Sequence, residues 1–152
     1  MRTTRHETRL DVWGKACVGL LAILGLGALA GGIALVARPD GSVMGFDVAI
    51  LAGSPFADFL VPGLILGGLF GVGSFATAAL GLRHAASAPF LAFAIGFGQM
   101  LWIAIELAII GEFSFLHPTM FTIGMLIAGT AVRWGWPTFE AWRHSTRARQ
   151  LA

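Results

Sequence analysis

The chain has 152 residues, of which 57% are hydrophobic and only 12% charged, and its mean hydropathy is +0.80. A soluble globular domain carries about 25% charged residues, so composition excludes that class and makes a bilayer the natural solvent. The formal net charge is only +2, with the basic residues gathered towards the two ends. This fits a membrane surface and not a nucleic-acid footprint, and no nucleic acid is expected as a partner.

In chain order, a basic tail over residues 1–15 leads into an apolar run over 16–37, bounded by Lys15 and Arg38. At about 1.5 Å per residue that run crosses the hydrocarbon core. A cleavable secretory signal is the competing reading, because a basic start, an apolar stretch and Ala28-Leu29-Ala30 imitate a cleavage site. The hydrophobicity continues through Ile33, Leu35 and Val36, as in a retained anchor. Residues 39–58 then mix Asp40, Gly41, Asp47, Gly53, Ser54 and Pro55 with short apolar stretches, and read as an ordered loop at the interface.

A second span is expected over 59–82, with Asp58 capping its start and Pro62 early enough to cost little intrahelical bonding. Ser87 and Pro89 are start signals for a third span over 89–110, which Gly111 ends. His117-Pro118 opens a fourth over 118–132, and the basic tail 133–152 reads as a fraying interfacial helix. The expected fold is therefore all-α: a four-transmembrane-helix bundle in a single integral membrane domain, residues 1–152, with an ordered first outer loop.

Orientation follows from the basic residues. Arg2, Arg5, Arg9, Lys15, Arg83, Arg133, Arg143, Arg147 and Arg149 fall on one side of the spans and only Arg38 on the other. Both termini are thus expected in the cytoplasm, with the protein multi-pass in the inner (plasma) membrane. Trp13, Trp134, Trp136 and Trp142 lie where a cytoplasmic aromatic belt belongs, and the outer side holds Asp40, Asp47, Asp58 and Glu112.

Between helices in lipid, close backbone approach and a few polar bonds replace hydrophobic burial as the source of attraction. Small residues four apart share a face. Gly27 and Gly31 supply such a face in the first span, and Gly63, Gly67 and Gly71 form a ladder in the second, read as the centre of the bundle. Gly96, beside Ala92, serves the third span, and Gly124, beside Ala128, the fourth. The partner for these faces is left open between the same chain, a second copy and another membrane protein.

Glu106 is the residue most suggestive of chemistry, because a charge at the centre of a span costs about 2.5–3.5 kcal/mol on insertion scales. Gln99 lies seven residues earlier on the same face, and the two could line a proton or ligand path. The competing reading places Glu106 near the outer helix end, in reach of water, with Gln99 as an interhelical hydrogen-bonding group. Asp58, Glu112 and His117 form a candidate polar cluster at the outer rim, for which solvation and helix capping are sufficient reasons. Their spacing matches no recognised metal site, so no metal and no cofactor is expected. No nucleophile, base and orienter set is visible either. The glycines at 67, 68, 71 and 73 lie inside a span and not between a strand and a helix, which removes them as a dinucleotide fingerprint. Cys17 reads as a small buried residue, with acylation as the alternative.

The run Gly53-Ser54-Pro55-Phe56-Ala57-Asp58-Phe59-Leu60-Val61-Pro62-Gly63, then Trp102-Ile103-Ala104-Ile105-Glu106 and Ser114-Phe115-Leu116-His117-Pro118, resembles small uncharacterised bacterial membrane proteins, loosely similar to DoxX-like proteins. The resemblance covers about residues 20–129. It implies a four-helix bundle; some DoxX-like proteins are associated with respiratory quinol chemistry, but no functional residue of theirs maps onto this chain. Two functions remain: a non-enzymatic structural or accessory subunit acting through helix association, or a small transporter or ligand-binding protein for a proton, lipid or quinone at the Gln99/Glu106 face.

Overall fold

The computed structural model describes the backbone of residues 10–110 and 115–150, with side chains for all of these except Ile110 and 137–150. Among the described residues the protein is helical, with no strand. Helix α1 is Val12–Ala37, α2 Leu60–Leu82, α3 Ala88–Ile110 and α4 Leu116–Gln150. The first three are long and apolar enough to cross a membrane. Much of the exterior is apolar, including Phe90, Leu26, Ile23 and Phe97, a surface suited to lipid and not to water.

Local chemistry sets the helix starts. Asp11 accepts a hydrogen bond from the Gly14 N–H at 2.8 Å, so α1 begins before the apolar run. Asp58 accepts from the Leu60 N–H at 2.9 Å and so caps the start of α2, as its sequence position suggests. The α2–α3 turn closes in a Schellman motif: the Ala85 N–H donates to the Leu80 carbonyl and the His84 N–H to that of Gly81, with His84 at φ +56°. Two features depart from the sequence reading. The centre of α2, Ile65–Val72, is π-helical, and the tail after residue 132 is no separate element but continues α4 to Gln150.

The four helices form a ring in which each packs on its chain neighbours and α4 returns to α1. The α1–α3 diagonal barely touches, and α2 and α4 do not meet among the described residues. No helix is central, which corrects the placement of α2. Its glycine ladder faces α1 of the same chain: Gly63 lies under Leu35, Gly67 against Gly32, and Gly71 against Leu29. A Cβ on Gly32 would collide with the Gly67 backbone, so here the two main chains touch. Gly96 and Gly124 make the matching α3–α4 crossing, each with the other's carbonyl oxygen at 2.6–2.8 Å from where its Cβ would stand.

Gly27 and Gly31 behave differently from the expectation. A Cβ on Gly27 would meet nothing within 4 Å, and one on Gly31 would meet only the Leu66 side chain at 3.2 Å. The crossing instead uses Gly25 and Gly32, because the α1 stripe buried against its neighbours runs through Cys17, Leu21, Leu24, Ala28, Gly32 and Leu35. Cys17 is fully buried, with its thiol towards the Ile127 carbonyl at 3.8 Å, which removes it as an acylation site. At the basic end Arg133 lies over the Trp13 ring at 5.5 Å, and the Trp134 ring fills the space beside Gly14 and Gly81.

Candidate functional site

In the half of the bundle away from Trp134, the open α1–α3 diagonal leaves a cavity of about 360 Å³. Leu24, Ala28 and Leu35 of α1 form one wall, with Gly27 and Gly31, whose missing side chains leave it hollow. Pro62 and Leu66 of α2 continue it.

The loop between α1 and α2 roofs this space. Two 3-10 turns, Ser42–Met44 and Val48–Leu51, fold it back, and the Phe59 N–H donates to the Pro39 carbonyl at 2.9 Å to close it. Asp40 accepts from both the hydroxyl and the N–H of Ser42, and these bonds hold its carboxyl below the usual carboxylate range, with Arg38 adding a favourable charge. Asp47 accepts from the Ala49 N–H at 2.8 Å. Gly41 and Gly45 adopt positive φ, which only a glycine takes at no steric cost. Held in this way, the loop turns Phe46, Leu51, Phe56 and Phe59 onto the cavity.

The opposite wall is polar. Gln99, Trp102, Ile103 and Glu106 stand at i, i+3, i+4 and i+7 of α3 and so share one face. Gln99 is 1% exposed, and its Oε1 has no hydrogen-bond partner. The Trp102 Nε1 is buried and likewise unpartnered. Its ring packs tilted on Phe70 at 6.2 Å, and Phe70 projects from the π-helical stretch of α2 over Gly98. Glu106 sits one turn beyond Trp102, without a hydrogen bond closing between them, and within electrostatic reach of His117. His117 and Met120 bring α4 to the cavity rim.

The structure thus brings Gln99, Glu106 and His117 to one cavity. Asp58 is instead engaged at the start of α2 and does not line it, and Glu112 lies outside the described residues. Among the described residues no three His, Cys, Asp or Glu side chains group to hold a metal ion. Trp102 is the member that the sequence reading missed. Its spacing of three from Gln99 and four from Glu106 was a readable signal, but an indole within an apolar run is not conspicuous.

Buried polar atoms are nearly always hydrogen-bonded, so two orphans three residues apart on a cavity wall mark a place prepared for a polar group from outside the chain. An apolar hollow of this size with a few convergent polar groups is the usual form of a small-molecule site. No family model matches this chain, and no curated protein or solved structure matches it.

Proposed function

We propose that the protein is a four-span membrane protein with both ends in the cytoplasm, and that it holds an amphipathic, lipid-like ligand between its helices. The cavity carries this reading: apolar walls from α1, α2 and the loop suit a hydrocarbon body, while the α3 wall offers Gln99, Trp102 and Glu106 to a polar group. The basic residues of the tails and the α2–α3 turn support the orientation, which places the cavity in the outer half of the bilayer.

This reading is preferred to the accessory-subunit one because the tightest glycine contacts, Gly32 with Gly67 and Gly96 with Gly124, are made within the chain. They do not wait for a partner helix.

The test uses Gly27→Leu. A side chain there enters open space at the cavity wall, so the fold is expected to persist while the hollow is filled. Mass analysis of compounds retained by the protein purified in mild detergent is expected to find an amphiphile on the parent protein that the variant loses. Equal retention by both would overturn the cavity as the ligand site.

A further inference from the structure

We propose that the ligand is an uncharged lipid with a hydroxyl head group, seated between the Gln99 Oε1 and the Trp102 Nε1. This rests on the cavity reading above and adds the chemistry of the head group. The two orphaned atoms are of opposite kinds: the amide oxygen needs a donor, and the indole N–H needs an acceptor. They are three residues apart on one helix face, where side chains stand about 5–6 Å apart at Cβ. A hydroxyl supplies both functions from a single atom, donating to Gln99 and accepting from Trp102.

The surroundings argue against the other common lipid head groups. No Lys or Arg among the described residues lines the cavity, whereas Glu106 does. A phosphate or carboxylate would lose its hydration, find no fixed cation and meet a carboxyl group. A plain hydrocarbon would fill the hollow but leave both polar atoms unsatisfied, at the cost that buried unpaired groups carry. Gln99 stands midway along α3, far from either helix end, so water is a poor substitute for a ligand at that depth.

The experiment compares decanol, decane and decanoate as probes of equal chain length, titrated at neutral pH into the purified full chain. The midpoint of thermal unfolding reports binding, because a ligand of the folded state raises it by mass action. Decanol is expected to bind more tightly than decane by about 3- to 10-fold, the value of one net hydrogen bond, and decanoate is expected to bind least. Gln99→Leu and Trp102→Phe are each expected to remove the advantage of decanol while leaving decane binding in place. Decanoate binding as well as decanol, or decanol keeping its advantage in both variants, would overturn the head-group assignment while decane binding still upheld the cavity. Failure of all three probes to bind would overturn the cavity reading itself, and this proposal with it.

Discussion

Replacing Gly32 with alanine tests the packing account at its tightest point. The added methyl would overlap the Cα and N of Gly67 and stand 2.8 Å from the Gly63 carbonyl oxygen. All three are backbone atoms, so no side chain can swing aside and the helices themselves must part. Carbon atoms rest at about 3.5–4.0 Å, and a gap of about 0.5–1 Å already forfeits a quarter to a half of each dispersion contact. The loss would spread to Gly25 against Phe75 and Gly71 against Leu29, for a total of about 1–3 kcal/mol, the usual cost of overpacking. Gly19→Ala, on the same helix but with nothing within 4 Å, is the control, and is expected to be neutral or stabilising by up to about 1 kcal/mol. Gly67→Ala is the second control, because its methyl meets Gly32 Cα at an ordinary 3.4 Å and is expected to cost less than Gly32→Ala. Thermal unfolding in detergent, followed by helical circular dichroism, measures all three. A Gly32→Ala variant that melts with the Gly19→Ala control would refute the close crossing of α1 and α2.

Two further outcomes are expected. Val43→Cys, exposed on the loop roof, should react with a membrane-impermeant thiol reagent added outside intact cells; labelling only after the cytoplasmic side is opened would reverse the proposed orientation. A lipid-confined quencher scanned along α3 should reach labels at Phe97 and Leu101, which are more than half exposed, and miss those at Gly96 and Gln99, which are buried. The opposite pattern would turn the helix around and remove the α3 wall from the cavity.

The elements of this protein were legible in the sequence because each is set by neighbours along the chain. Apolar runs of membrane length, Asp58 beside the start of α2 and Pro89 within the first turn of α3 are local signals. The ladder Gly63, Gly67 and Gly71 was legible as a packing face for the same reason. The π-helical stretch was not: a four-residue spacing of glycines suits a regular helix as well, and the widened turn shows only where Phe70 meets Trp102.

Sequence by itself therefore determined that the chain is helical and apolar enough for a membrane, and that Gln99 and Glu106 share a helix face, since periodicity and hydropathy are properties of one segment at a time. Which glycines touch was decided by tertiary structure. Gly27 and Gly31 have the right spacing, yet the crossing selects Gly25 and Gly32, because the rotation of α1 is fixed jointly by α2 and α4. The cavity belongs to the same level. Its walls come from all four helices and a loop far apart in sequence, and it exists because α1 and α3 stand across an open diagonal that no local pattern encodes.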